Sequence, residues 1–231
     1  MAAPSDIKIE NLTGTWMLDK QLSTDSDPLL ALVYSATQYL PLLTDFLQQG
    51  VNWVVRKAIG MTEVTMKMKQ FEGSSPGTGS AVTQIAISQT ANVNLGGTSE
   101  SRYLDWQEYP QEDHIFGKTV VQSRFIGNSN QAAKSVPCVH IRTEINDPEV
   151  LKFLRGEIDE SYAPCDGFLV EKSQATEPLE GGEDGLWIHV VWGFERIDGQ
   201  RRYVRRTLMS GIKDDYRMGR LVYRFVDGKC D

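Results

Sequence analysis

The residues of this chain whose types could do chemistry are arginines, histidines, tyrosines and tryptophans that fall within predicted β-strands. We predict catalytic roles, as hydrogen-bond donors to the substrate, for Tyr203, Arg205, His140 and His189. We predict that six aromatic side chains bind the substrate and give it flat apolar walls: Trp53, Tyr103, Trp106, Trp187, Trp192 and Tyr223. In a small β-barrel, filling a packed core is the alternative role for each aromatic. Together these side chains favour binding and polarising an apolar reactant.

The pair Arg205-Arg206 gives a specific expectation. Consecutive residues of a strand point to opposite faces, so one of the two arginines faces the interior unless the strand bulges. A buried arginine needs a partner for its charge. A ligand oxygen is one candidate, and Glu195 or Glu144 is the structural alternative.

Other catalytic classes lack their motifs. The three histidines, His114, His140 and His189, have no serine or cysteine partner at a motif spacing. The glycine-rich run GSSPGTG (73–79) lacks the lysine of a phosphate loop and does not open a predicted helix. Because His, Asp and Glu show no metal-ligand spacing, we predict no metal and no cofactor.

Charge and composition limit the partners. The chain has 231 residues and a formal net charge of -7, so we expect no broad nucleic-acid surface. Three scattered cysteines indicate reduced thiols and a cytosolic location. The N-terminal run MAAPSDIKIENL has no apolar signal core. The most apolar stretch, Leu29 to Leu47, contains Pro41 and Asp45, so we predict no membrane span.

Period-two patterns and turn signals predict the strands that must position these residues. In Val64 to Lys69, apolar and polar residues alternate, which is typical of a half-buried strand. Asp198-Gly199 predicts a tight hairpin because glycine tolerates positive φ. Other strands are predicted over Thr13–Asp19, Val82–Thr90, Thr98–Trp106, Ile115–Phe125, Leu186–Arg196, Arg201–Met209 and Met218–Val226. Loops are predicted over Gly127–Ser135 and Ser173–Gly185.

Two helical regions are predicted from N-cap signals. Asp27-Pro28 opens a helical region that runs to Ile59, interrupted at Pro41 and Gly50. Asp147-Pro148 opens a short helix to about Arg155. The sum is a single domain, residues 1–231, of about eight to ten antiparallel strands in meander order. Closure into a barrel removes the sheet edges, and an open sandwich is the alternative.

The run NLTGTWML at residues 11–18 resembles the Gly-x-Trp opening of the calycin superfamily, the lipocalins and fatty-acid-binding proteins. The resemblance implies a calycin-like barrel whose helical lid lies between strands one and two. It also implies that a basic residue of the last strand, Arg220 or Arg224, stacks on the indole of Trp16.

Longer stretches are similar to a group of fungal lipocalin-like proteins: GVNWVVRKAIG (50–60), YLDW (103–106), DHIFGK (113–118) and VWGFERIDGQRRYVRR (191–206). Some members of that group are hetero-Diels–Alderases that join a tropolone-derived quinone methide to a humulene-type sesquiterpene. The resemblance implies a cofactor-independent pericyclase acting on hydrophobic small molecules. The alternatives are a non-catalytic carrier of such molecules and an interaction protein with a filled barrel.

Residues 33–48 do not fit this resemblance. They separate LLAL (29–32) from the GVNWVVRKAIG run, and back-translation allows a splice donor, a branch point and a pyrimidine-rich acceptor within 48 nucleotides. One hypothesis is that this segment is a translated intron, and the alternative is a genuine lid insertion. Sequencing the transcript decides between them.

Overall fold

The computed structural model of the chain describes residues 1–24, 63–91, 97–113, 117–126, 145, 147–156, 168–175, 187–210 and 216–228. The predicted helical region from Asp27 to Ile59, with its 33–48 segment, lies outside the described residues. Trp53, His140 and Glu144 also lie outside them. The lid, the intron hypothesis and the roles of these three side chains therefore stay predictions.

Antiparallel strands make up most of the described chain. They are β1 (Gly14–Leu18), β2 (Val64–Ser74), β3 (Ala81–Ala91), β4 (Gly97–Tyr103), β5 (Tyr109–Asp113), β6 (Gly117–Ile126), β7 (Phe168–Ala175), β8 (Trp187–Ile197), β9 (Gln200–Ser210) and β10 (Tyr216–Asp227). They form one sheet in the order β4-β3-β2-β1-β10-β9-β8-β7-β6-β5. The sheet curls into a half-barrel, which confirms a mainly-β, antiparallel, barrel-like fold.

One face of the curled sheet, the inner face, carries the main hydrophobic core. Trp16, Met66, Ile85, Trp192 and Tyr203 are each fully buried in a single cluster. They come from β1, β2, β3, β8 and β9, at alternate positions of each strand. The period-two pattern predicted for Val64 to Lys69 is confirmed, since Met66 and Met68 belong to this core and the intervening Lys67 is exposed.

The Gly-x-Trp motif has a steric basis at Gly14. Its φ is +147°, and a Cβ there would lie 2.7 Å from Cε2 of Phe225. The next inward residue, Trp16, packs edge-on against Phe225 with ring centroids 5.0 Å apart and donates Nε1–H to the Leu12 carbonyl at 3.0 Å. Glycine therefore lets β1 approach β10 closely enough to bury the indole.

The predicted basic partner of Trp16 was wrong. Arg224 directs Nη2 to the Met17 sulfur at 2.8 Å, and Arg220 donates to the Leu22 carbonyl at 3.3 Å. Both arginines alternate with inward residues of β10, Leu221 and Tyr223, so they point to the opposite face.

The opposite, outer face of the sheet is covered by helix α1 (Pro148–Arg155). Asp147 accepts a hydrogen bond from the Glu149 amide at 2.9 Å, so the predicted N-cap and helix are confirmed. Val150 and Leu154 are fully buried in a second cluster, which includes Val191 of β8 and Leu208 of β9. The helix thus packs on the two strands that carry half of the predicted site residues.

Two strands were missed by the sequence patterns. β5 contains Pro110, which is compatible with its place at the edge of the sheet. β7 runs from Phe168 to Ala175 and takes the first residues of the predicted 173–185 loop. Among the described helices, none is both long and apolar enough to cross a membrane.

Candidate functional site

A buried arginine on the inner face is the centre of the candidate site. Arg205 of β9 is 8% exposed, and its Nε donates to the Tyr203 hydroxyl at 2.9 Å. Its Nη2 lies 3.1 Å from the Met66 sulfur and 3.8 Å from the Met68 sulfur, both across the sheet on β2. Thioether sulfur is a weak acceptor. Within the described chain, Nη2 therefore faces only weak acceptors.

Aromatic rings surround this cation. The guanidinium carbon lies 3.9 Å from the Trp192 ring centroid, and 5.7 Å from that of Tyr223. The Tyr203 and Tyr223 rings pack together with centroids 5.4 Å apart. A guanidinium over an indole face gains cation–π attraction, which is stronger where water is excluded. The site is therefore a positive charge set in an apolar aromatic wall.

The charge states of this cluster are fixed by its surroundings. Burial, the largest influence, lowers the pKa of Arg205, but Tyr203, Tyr223 and the Glu100 carboxylate together raise it above its ordinary value. Burial also raises the pKa of Tyr223, against the opposing effect of Arg205. At neutral pH the site thus combines a permanent cation with the neutral phenol of Tyr223.

Two further polar groups of this region have no hydrogen-bond partner among the described residues. They are Nε1 of Trp192 and Oγ of Ser123. Trp192 is fully buried and Ser123 is 1% exposed. A buried donor without a partner carries a desolvation penalty that a bound acceptor would remove. Both groups indicate that an acceptor-bearing ligand suits this face.

The neighbouring arginine has the opposite environment. Arg206 points to the outer face, where Nε and Nη2 donate to the two carboxylate oxygens of Glu195 at 2.6 and 2.8 Å. The alternation predicted for Arg205-Arg206 is confirmed. The sequence allows Glu195 as one structural alternative to a ligand oxygen. Because Glu195 pairs with Arg206, it is not the partner of the interior arginine.

The two edges of the curled sheet meet through side chains and through one backbone hydrogen bond, from the Trp106 amide to the Ser123 carbonyl at 2.9 Å. Arg102 of β4 donates to the Gln111 side chain of β5 at 2.6 Å and pairs with Glu100 at 2.7 Å. A pocket of about 360 Å³ lies at this seam, lined in part by Glu100, Arg102, Tyr109, Gln111, Val121 and Ser123. The seam pocket brings solvent-accessible space next to residues of the inner face.

The structure divides the predicted site residues into groups. Tyr203, Arg205, Trp192 and Tyr223 come together on the inner face. Tyr103 lies at the seam, where its ring packs against Tyr109 with centroids 4.5 Å apart.

Three others lie away from this cluster. His189 and Trp187 stack with centroids 6.2 Å apart, at positions of β8 that alternate with the inward Ile188 and Val190. Trp106 packs against the outer cluster, with the Arg124 guanidinium 4.6 Å from its ring centroid. Trp53 and His140 lie outside the described residues.

Sequence reasoning missed the β2 methionines as neighbours of Arg205. Their alternation with lysines indicated a buried face, but strands β2 and β9 are about 140 residues apart in the chain and not adjacent in the sheet. Glu100 and Gln111 at the seam were also missed, since a polar pair between two sheet edges has no local pattern.

Comparison with curated proteins finds two distant relatives. The chain is 22% identical over 225 residues to "Probable pericyclase scpY" of Mollisia scopiformis, which covers 97% of this chain and 95% of that protein. It is 23% identical over 228 residues to "Pericyclase pydY" of Acremonium sp, which covers 98% and 97%. Both relatives are named pericyclases. The similarity extends over the whole sheet and is not confined to one motif.

No family model matches the chain, and no solved structure matches it. The calycin assignment stays a prediction, with which the curled antiparallel sheet is compatible.

Proposed function

We propose that this protein is a cofactor-independent pericyclase that holds an apolar, carbonyl-bearing reactant on the inner face of its sheet. The observation that carries the proposal is the Arg205 guanidinium, buried 3.9 Å from the Trp192 ring with thioethers facing one of its nitrogens. The names of both relatives support the reaction class. The geometry supports a substrate oxygen beside the cation.

A pericyclic reaction suits this inventory of residues. Bonds form and break in one cyclic step, so the catalyst needs no nucleophile and transfers no proton. Holding reactants in a reactive geometry can lower a barrier by ~7–11 kcal/mol in favourable cases. The aromatic wall of Trp192 and Tyr223 gives flat apolar contacts for this purpose.

Arg205 and Tyr203 supply the electrostatic part of the mechanism. In a hetero-Diels–Alder reaction, a new C–C bond and a new C–O bond form while three π bonds become one. Electron density shifts onto the heterodiene oxygen as the bonds form. Donors already positioned at that oxygen, the guanidinium N–H groups first, stabilise the developing charge more than the ground state.

The specific form of the proposal is the cycloaddition of a tropolone-type quinone methide to a humulene-type sesquiterpene. This form rests on the resemblance to fungal lipocalin-like hetero-Diels–Alderases. His189 and Trp187, which lie on the outer strand positions, have no substrate contact in it. Trp53 and His140 keep their predicted roles as expectations for the part of the chain that is not described.

The direct test is to incubate the purified protein with a quinone-methide precursor and humulenol. We expect a faster reaction and a single product stereochemistry relative to buffer. Arg205→Met should remove most of the acceleration. The matched control is Arg202→Met, which removes an arginine of the same strand whose side chain donates to the Met1 carbonyl and Gln200 instead. Saturable binding of both reactants with unchanged rate and product ratio would identify a carrier and overturn the proposal.

A further inference from the structure

The inner face has more positive than negative charge among its described residues. Three buried arginines, Arg102, Arg201 and Arg205, lie on this face. Arg102 is in register with the inward core residue Ile85. Arg205 is in register with Trp192, and the Arg201 guanidinium lies over the inward Phe194 ring.

Against these three arginines, two carboxylate residues of the described strands are in register with inward core residues. Glu100 pairs with Arg102, and Glu171 of β7 is in register with the inward residues Ser123 and Val190. This excess occurs in a chain whose overall charge is -7.

Two of these arginines are compensated by the chain itself. Arg102 is paired with Glu100 at 2.7 Å. Arg201 donates Nη1 to the carbonyl oxygens of Pro4 and Ile7 at 2.9 and 2.8 Å, and its guanidinium covers the Phe194 ring at 3.6 Å. Each has strong acceptors or a countercharge at contact distance.

Arg205 differs from both. No carboxylate of the described residues lies within 4.0 Å of its guanidinium, and one phenol oxygen is its strong acceptor. A buried charge without a countercharge is costly to the folded state. The nearby Trp192 Nε1 adds another donor with no acceptor in the described chain.

We propose that the inner face binds its ligand as an anion, with a negatively charged oxygen, such as an ionised enol or a carboxylate, placed against Arg205 and Trp192. This inference deepens the proposed function, on which it rests for the statement that the inner face receives the substrate. The substrate is then an acidic apolar molecule, and its charged oxygen is a second oxygen beside the heterodiene oxygen. Both oxygens lie against the guanidinium while the new C–C and C–O bonds form. The anionic oxygen provides the countercharge that the described residues do not place in contact with Arg205.

A matched pair of dyes tests the charge preference without any catalytic assay. 8-Anilinonaphthalene-1-sulfonate is an anion, and N-phenyl-1-naphthylamine has the same ring system without the sulfonate. We expect the wild-type protein to bind the sulfonate about tenfold or more tightly than the neutral dye, as befits a hydrogen bond to a charged group. Fluorescence titration of each dye gives the two dissociation constants.

Variants locate the preference. Arg205→Met should bring the two dissociation constants to within about threefold, and Arg205→Lys, which keeps the charge, should retain most of the difference. Arg202→Met, which removes a charge from the same strand away from the cluster, should leave the wild-type ratio unchanged. If Arg205→Met does not fold, the wild-type ratio and the Arg205→Lys ratio still decide.

Equal affinities in the wild type, absence of saturable binding of either dye, or a preference that survives Arg205→Met would overturn the inference. The proposed function can fail separately. A protein that accelerates the cycloaddition but binds both dyes equally keeps the function and loses the anion. A protein that prefers the sulfonate through Arg205 but accelerates nothing keeps the anion site and loses the function.

Discussion

Two adjacent arginines on β9 occupy opposite faces of one sheet and have opposite environments. On the outer face, Arg206 is bound through two nitrogens to Glu195, and the Phe153 ring of α1 lies 5.1 Å from its guanidinium carbon. On the inner face, Arg205 has a phenol, two thioethers and an indole. Arg206 has a carboxylate partner, whereas Arg205 has no carboxylate partner in the part of the chain that the structure describes.

This difference is what the proposal requires, in which Arg206 has a structural role and Arg205 binds the ligand. A bidentate pair with a carboxylate fixes geometry, and here it anchors α1 beside β8 and β9. A cation over an indole, with weak acceptors at its nitrogens, still has N–H groups that can donate strong hydrogen bonds to a ligand oxygen. The comparison predicts that stability depends on Arg206 and that rate depends on Arg205.

The largest stability effect is expected from Arg206→Met. It leaves Glu195, 11% exposed, without its partner, and breaking such a buried pair costs ~3–5 kcal/mol. Urea unfolding measures the loss. The double variant Arg206→Met with Glu195→Leu, which removes both charges, should recover most of it. If Arg206→Met alone is as stable as the wild type, Arg206 contributes little to the free energy of unfolding and the prediction is wrong.

A smaller loss of stability is expected from Gly156→Ala. Gly156 has φ of +69°, and a Cβ there would lie 2.8 Å from both the Arg206 Nε and the Glu195 Oε1. The positive φ alone costs ~1–3 kcal/mol for a residue with a side chain. Urea unfolding should show this loss, with no change in the dissociation constant of the anionic dye. Altered dye binding would mean that the two faces are coupled.

Tyr203→Phe should affect both stability and rate. The change removes the hydroxyl that accepts from Arg205 Nε at 2.9 Å, leaving a buried donor that costs ~1–3 kcal/mol of unfolding free energy. The same loss of orientation should reduce the cycloaddition rate about tenfold, if one hydrogen bond to a charged group is lost. Rate and unfolding are measured on the same preparation. An unchanged rate and an unchanged unfolding free energy would show that the Tyr203 hydroxyl does not support Arg205.

The smallest effect is expected at the N-cap of α1, and it depends on pH. The Tyr216 hydroxyl, at 2.6 Å, and the Glu149 amide hold the pKa of Asp147 below its ordinary value. A carboxylate whose pKa is lower in the folded state stabilises it above its ordinary pKa, and this contribution is lost as the pH falls through the folded pKa. The Tm of the wild type should therefore exceed that of Asp147→Asn at pH 7, and the difference should shrink on acidification. A Tm difference that grows toward low pH would contradict the predicted direction of the effect.

Local rules predicted the parts of the fold that a few consecutive residues determine. Asp198 and Gly199 have φ of +49° and +72°, as the predicted tight hairpin requires. Asp147-Pro148 begins α1 as predicted, because capping involves atoms only two residues apart. The alternation of Arg205 and Arg206 followed from strand geometry alone.

Long-range geometry decided what the sequence could not predict. Which of the two arginines faces inward depends on the register of β9 with β8 and β10, and the same registers turned Arg220 and Arg224 away from Trp16. The contacts of Arg205 with Met66 and Met68 join strands on opposite sides of the curl. The residue types of the site could thus be predicted from the sequence, but the contacts between residues far apart in the chain could not.

The most direct test compares Arg205→Met with Arg206→Met in two assays on the same samples, the cycloaddition rate and the free energy of urea unfolding. Removing a preorganised donor from a developing oxyanion typically costs ~10²–10³ in rate. We predict that loss for Arg205→Met with little change in unfolding free energy, because removing a buried charge that has no carboxylate in contact offsets the lost hydrogen bond to Tyr203. We predict the converse pattern for Arg206→Met. An Arg205→Met protein that unfolds more easily and keeps its rate would contradict the assignment of Arg205 to the substrate.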